Sequence, residues 1–298
     1  VNAPLLIDPP AYKDFVLEDL KAWRDEGLRT ALLTLVKVEG RAPRPTGSQM
    51  AVAEDGRAVG AITGGCAERA LVLDAMAAIA RGENHTELYG EGSRFKDIVL
   101  PCGSGLHVHF DVTLSDDTLE ALLAARRERR VADLRYDLDM PYVRTYVPQC
   151  RLAVVGQGPI TVALAQMARL TEMAVEIFTP DRQVVRQMSA ALITGPKDFD
   201  TAVLDDWTAL AMTFHDHGHE ADILRQAVDS NAFFIGALGS RPTHARRLET
   251  LAAMGATPPQ LARIQGPIGL DIGARTPPEI AVSVLAQVVS AWRNRSGG

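Results

Sequence analysis

The chain has 298 residues, of which 47% are hydrophobic and 23% charged, with a formal net charge of −6. That length suits two cores of roughly 150 residues each, and the composition excludes a disordered chain. The acidic balance excludes the broad basic field that a phosphate backbone demands, so no nucleic-acid role is expected. No apolar run reaches the roughly 18 residues of a bilayer span, and Val1–Pro10 lacks the pattern of a secretion signal. The cysteines Cys66, Cys102 and Cys150 have no close spacing. They read as thiols in a reducing compartment, so a cytoplasmic protein without membrane contact is expected.

Pro9–Glu26 carries Phe15, Val16, Leu20 and Trp23 near helical spacing and predicts a first helix. Ala31–Val38 is apolar and partly β-branched, the pattern of a buried strand. Gly40–Gly47 must be a loop, because prolines and glycines interrupt either regular structure. Its Arg41 and Arg44 are surface charges or guanidinium groups aimed at an anion. Gln49–Ala53 and Ala58–Ile62 flank the turn signal Asp55-Gly56 and predict two strands. Gly64-Gly65-Cys66 opens a helix over about Ala67–Ala80, which Gly82 ends. Thr86–Leu88 and Leu106–Val112 predict strands, and Ser115 caps a helix running to Arg130. Val131–Gln149 is polar, contains Pro141 and Pro148, and lacks helical periodicity. It reads as the link between a domain over 1–140 and a second over 141–298.

Beyond it, strands and helices alternate. Arg151–Val155, Ala174–Thr179, Thr201–Leu204, Leu210–Thr213 and Ala232–Ala237 predict strands. Pro159–Leu170, Asp222–Asp229, Thr243–Met254 and Pro278–Trp292 predict helices. Such alternation builds a parallel sheet covered on both faces. The expected fold class is α/β: an N-terminal α+β domain, then a C-terminal Rossmann-like domain with a parallel sheet.

Chemistry concentrates in glycine-bearing connections. Gly156 and Gly158 follow a buried strand and open a helix, where a Rossmann fold holds a phosphate group against the helix N-terminus. Asp181 ends the next strand, where a ribose-binding acid lies. Thr161 replaces the third glycine of the dinucleotide pattern, which interferes with close helix–strand packing, and Pro159 removes an N–H donor. An anionic or nucleotide-like ligand therefore fits better than a nicotinamide hydride carrier. Cys66, between Gly65 and Ala67 at a helix start, sits where a thiol loses its proton readily. Cys102 stands beside Gly103 in a second turn of the same kind. Cys150 has no glycine loop and reads as packing. His215, Asp216 and His217 follow a strand and read as a ligand-facing loop rather than a metal site, while His107 and His109 share one strand face as a satisfied or exposed pair. Gly239, Ser240 and Arg241 follow another strand and suit a phosphate.

In order along the chain stand PRPTGSQM (Pro43–Met50), GGCAE (Gly64–Glu68), PCGSG (Pro101–Gly105), GQGP (Gly156–Pro159), HDH (His215–His217), GSR (Gly239–Arg241), and PIGLDIGA followed, after Arg275, by TPPEIA (Pro267–Ala281). This ordered set resembles the xanthine dehydrogenase accessory protein family, the XdhC/CoxI family. Ser104 departs from it, standing where that family commonly has a second glycine after the cysteine. The resemblance implies a chaperone, without turnover of its own, that binds the molybdenum cofactor and passes it to a xanthine dehydrogenase-type molybdoenzyme. It also implies support for sulfuration of the cofactor together with a cysteine desulfurase, and a homodimer, with Glu279–Trp292 as one surface for it. The cofactor contacts expected in the first domain are Arg44, Gly64, Gly65, Cys66, Glu68, Cys102, Gly103 and Ser104. In the second they are Gly156, Gly158, His215, Asp216, His217, Gly239, Ser240 and Arg241. Two other readings stay open: an NAD(P)-dependent oxidoreductase, from the Rossmann turn, and a metal- or nucleotide-binding regulator, from the histidines.

Overall fold

A computed structural model describes residues 12–65, 67–90, 93, 105–214 and 219–295. The chain divides into two units, Val1–Pro148 and Gln149–Gly298.

In the first unit the order is α1 (Leu17–Asp25), β1 (Thr30–Glu39), β2 (Gln49–Ala53), β3 (Ala58–Gly60), α2 (Glu68–Arg81), β4 (His85–Gly90), β5 (Gly105–Asp111), α3 (Asp116–Arg127), β6 (Ala132–Tyr136) and β7 (Tyr142–Tyr146). Five described strands form an antiparallel sheet in the order β3-β2-β1-β5-β4. Central β1 is apolar on both sides because both of its faces are covered. Ala31, Leu33 and Leu35 meet Leu71, Val72, Ala75, Ala78 and Ile79 of α2, which recur at the spacing of one helix face. Leu32 turns the other way, toward Leu17 and Leu20 of α1 and Leu119, Leu122 and Leu123 of α3. The described part of the first helix starts at Leu17, and residues 12–16 before it are not helical. Ser115 caps α3 as expected, accepting from the Thr118 N–H at 3.2 Å.

The stretch 131–149 is not an open linker, since most of it is the antiparallel hairpin β6–β7. Its period is two: Leu134 and Tyr136 are buried while Asp133 and Arg135 face solvent. A search for helical periodicity misses that alternation. The buried tyrosine hydroxyls find partners across the unit. Tyr136 lies 2.9 Å from the Thr34 hydroxyl, Gln49 Nε2 donates to that hydroxyl at 2.9 Å, and Tyr146 donates to Gln49 Oε1 at 2.9 Å. Each of these four polar side chains is bonded, which is the condition for placing such groups in a core.

The second unit runs β8 (Arg151–Gly156), α4 (Pro159–Leu170), β9 (Ala174–Thr179), α5 (Arg182–Met188), β10 (Ala191–Leu192), β11 (Thr208–Thr213), α6 (Glu220–Ala227), β12 (Phe234–Ala237), α7 (Arg241–Ala253), α8 (Pro258–Leu261), β13 (Ile264–Gln265) and α9 (Pro277–Arg295). Its six described strands are parallel in the order β10-β9-β8-β11-β12-β13. Counted along the chain, that is the 3-2-1-4-5-6 order of the Rossmann fold, with the reversal between β8 and β11. Leu152, Val154, Ala209 and Ala211 face α4 and α9, while Ala153, Val155, Leu210 and Met212 face α6 and α7. Ala281, Val284, Val288 and Trp292 of α9 are buried in this core. That side of α9 packs within its own unit, while Val282 on the same helix is exposed. Thr201–Val203 is a 3₁₀ turn and not the expected strand. The Asp200 carboxylate accepts the Ala202 N–H at 2.9 Å, a local bond that competes with sheet pairing. No helix among the described residues is long and apolar enough to cross a membrane.

Candidate functional site

In the first unit, the turn between β3 and α2 holds Gly64 at φ +77° and Gly65 at φ +120°, conformations that side-chain-bearing residues rarely adopt. Glu68 is buried in the first turn of α2. Its carboxylate accepts the N–H groups of Thr63 (2.7 Å), Gly64 (2.8 Å) and Gly65 (2.7 Å), together with the Thr63 hydroxyl. Thr63 Oγ1 in turn accepts the Ala67 N–H at 2.9 Å. The glycine amides expected to hold a cofactor anion are thus already held by a carboxylate of their own loop. Cys66, which follows Gly65 in the sequence, lies outside the described residues, as do Cys102, Gly103 and Ser104.

Burial alone would raise the Glu68 pKa, but the Thr63 hydroxyl and the loop amides outweigh it and hold the group below its ordinary value. A lowered carboxylate pKa stabilises the fold above the unfolded value of about 4.3, and that stability is lost as pH falls through the folded pKa. Glu68→Gln is expected to cost about 1.5–3 kcal/mol at neutral pH, the usual worth of hydrogen bonds to a charged group. The gap to the parent should close on acidification. Urea titrations at several pH values check both, and a gap independent of pH would contradict the assignment.

Arg44 is engaged within its own unit. Its guanidinium donates to Asp14 Oδ1 at 2.5 Å and to the Tyr12 hydroxyl at 3.0 Å, and it stacks 5.1 Å from the Tyr12 ring centre. An incoming anion would have to displace Asp14.

In the second unit the described ones among the expected residues lie at or after the carboxyl ends of β8 and β12. Gly156 ends β8 opposite Thr213 of β11, at the strand-order reversal. A Cβ on Gly156 would lie 2.2 Å from Thr213 Oγ1 and 2.6 Å from the Thr213 carbonyl carbon, so only glycine fits. Gly158, at φ +81°, precedes α4 as its N-cap, and a Cβ there would meet open space. Pro159 occupies the first helical position, where a missing N–H is tolerated. Thr161 does not spoil the helix–strand contact. It is fully buried, with its hydroxyl 2.8 Å from that of Thr213. Asp181 caps α5, accepting from the Gln183 N–H at 2.8 Å and the Val184 N–H at 3.4 Å.

After β12, Gly239 has φ +140° and Ser240 caps α7, its Oγ accepting from the Thr243 N–H at 3.2 Å. Arg241 is exposed in the first turn of α7 and makes no ion pair among the described residues. A helix N-terminus with an unengaged guanidinium suits an anionic group. His215, Asp216 and His217 follow β11 but lie outside the described residues. Among the described residues no group of three His, Cys, Asp or Glu side chains is placed to hold a metal.

Sequence reasoning missed the buried ion pair beneath these loops. Arg247 of α7 meets Glu220 of α6 at 2.7 Å, with side chains 3% and 4% exposed. Arg247 also donates to the Leu238 carbonyl at 2.5 Å, which ties α7 to the β12 loop. A signal exists, because Glu220 shares one helical stripe with the buried Ile223, Leu224 and Ala227, and Arg247 shares another with Leu251. Opposite charges on the apolar faces of successive helices announce each other.

Residues 152–288 match the XdhC Rossmann domain, and residues 23–90 match the XdhC and CoxI family. The chain is 33% identical over 284 residues to the molybdenum cofactor insertion chaperone PaoD of Escherichia coli K12, covering 89% of this chain and 84% of that protein. It is 26% identical to a probable xanthine dehydrogenase subunit of Bacillus subtilis 168, over 91% and 95% of the two chains. The crystal structure of a xanthine dehydrogenase from Bacillus halodurans has the same fold, with a TM-score of 0.78 at 21% identity, covering 94% of this chain and 96% of that one. With ordered matches in both units and a relative at this identity across most of its length, the chain belongs to the XdhC and CoxI family.

Proposed function

We propose that this protein is a cytoplasmic chaperone that binds the molybdenum cofactor as cargo and delivers it to a xanthine dehydrogenase-type molybdoenzyme. The observation that carries the reading is the similarity, over most of both chains, to an insertion chaperone for that cofactor. The strand-end geometry supports it. The open backbone at Gly158 and the exposed Arg241 offer an anionic ligand close approach and positive charge. The finer reading adds cofactor sulfuration with a cysteine desulfurase and action as a homodimer, with Cys66 and Cys102 as soft donors to molybdenum or sulfur. Cys150 is set apart, being buried beside Leu152 and Met173 in the core of the second unit.

The test is purification from cells able and unable to make molybdopterin, followed by pterin fluorescence and molybdenum analysis. About one cofactor per protomer is expected from the first source only. Arg241→Glu is expected to lower retention at least about tenfold, a change of 1.4 kcal/mol, without loss of stability, because the side chain is exposed. Cys66→Ala and Cys102→Ala should impair retention or sulfuration while Cys150→Ala does not. Tight binding of NADH by calorimetry, with no cofactor uptake, would favour the oxidoreductase reading instead.

A further inference from the structure

The first unit contains a second polar feature that cofactor delivery does not use. His109 and Asp111 alternate along β5 and share one face. They line a cleft of about 1060 Å³ whose walls come from β4, the start of α3 and the β6–β7 hairpin. Both are nine-tenths buried, at 5% and 6% exposure. His109 Nδ1 lies 3.1 Å from the Thr86 hydroxyl. Asp111 Oδ1 accepts from the Thr113 N–H at 3.0 Å and from Asn84 Nδ2 at 3.2 Å. The other polar atom of each side chain, His109 Nε2 and Asp111 Oδ2, has no hydrogen-bond partner among the described residues, yet neither is sealed from solvent. Two buried side chains therefore present unmet polar atoms to one cavity.

The chemistry of the walls selects a ligand. Asp133, Asp137 and Asp139 add carboxylates from the hairpin, against Arg135, which already meets Asp133 at 3.1 Å, and His85, whose pKa burial lowers. An anion is repelled by this rim. Burial depresses the His109 pKa, so its imidazole is neutral near pH 7. The tautomer with its proton on Nδ1 donates to Thr86 and leaves Nε2 as an acceptor on the same strand face as Asp111 Oδ2, which accepts in any case. The Tyr136 ring, 4.8 Å from the His109 ring, adds an aromatic wall suited to a cation. A metal ion fits less well, because no group of three described ligating side chains converges.

We propose that this cleft binds a small organic cation carrying N–H donors, an alkylguanidinium or alkylammonium, whose head reaches His109 and Asp111. The assignment does not depend on the proposed cofactor role. The experiment uses the full chain, with imidazole nitrogen resonances followed by NMR near neutral pH. Titration with agmatine is expected to shift the His109 ring signals saturably, while glutarate leaves them unmoved. Asp111→Asn keeps the acceptor for Thr113 and Asn84 but replaces the charged Oδ2, and should weaken agmatine binding at least about tenfold. Asp137→Asn with Asp139→Asn, at exposed sites that do not threaten folding, should weaken it several-fold. No shift with agmatine, a shift with glutarate, or undiminished affinity in Asp111→Asn would each overturn the proposal. Tighter binding of a blocked hexapeptide containing one arginine would replace the free cation by a basic side chain of a partner protein.

Discussion

Arg247→Ala is expected to destabilise the second unit by about 3–5 kcal/mol, the cost of removing one partner of a buried pair. The remaining Glu220 carboxylate would sit at 4% exposure beside the apolar Ile223 and Leu224, and the Leu238 carbonyl would lose its guanidinium donor. The double variant Arg247→Met with Glu220→Gln removes both charges of the pair and should recover most of the loss. Denaturation has to be followed unit by unit, since a two-domain chain need not unfold in one step. Trp207 and Trp292, with ring centres 5.9 Å apart, report on the second unit. If the single variant unfolded with the parent, the pair would hold no significant part of the structure.

Gly156→Ala is the second large effect expected. Overpacking typically costs about 1–3 kcal/mol and occasionally more, and this site lies at the upper end. The added methyl meets backbone as well as side chain, with the Thr213 carbonyl carbon at 2.6 Å and its oxygen at 2.8 Å. Adding Thr213→Ala removes the hydroxyl at 2.2 Å but not those backbone atoms, so it should fail to restore stability. It should also deprive Thr161 of its buried partner. Full rescue by Thr213→Ala would show that the hydroxyl alone demands glycine. Because β8 and β11 flank the strand-order reversal, spreading them should also lower cofactor retention in parallel with stability.

Much of the second unit is legible in the sequence because its signals are local. Apolar runs such as Arg151–Val155 mark doubly covered strands, and the Gly156–Pro159 turn marks the junction to a helix. The hairpin at 132–146 is hidden because its exposed face is charged and its buried face depends on partners in β1 and β2. The two-residue strands β10 and β13 are too short to show a period and exist only as additions to neighbours. At the candidate site, the glycine positions are readable from turn chemistry. The occupants of their amides are not. The motif offers Glu68 as a cofactor contact, and only the folded loop reveals that its carboxylate turns back onto Thr63, Gly64 and Gly65. Thr161 misleads in the same way, because a missing glycine says nothing about a hydroxyl partner 52 residues downstream.

The tyrosine hydroxyls that anchor the hairpin also set an order of events during synthesis. Thr34 and Tyr136 are separated by 102 residues, and Gln49 and Tyr146 by 97. Strands β1 and β2 emerge from the ribosome early, with one face waiting for a partner that is translated last in the unit. Until Tyr146 has emerged, Thr34 and Gln49 face water or the wrong neighbours, and Leu32 and Ala51 lack part of their cover. Closing such distant pairs is slow relative to local structure. The cover of that apolar face is thus completed only when the last strand of the unit is in place.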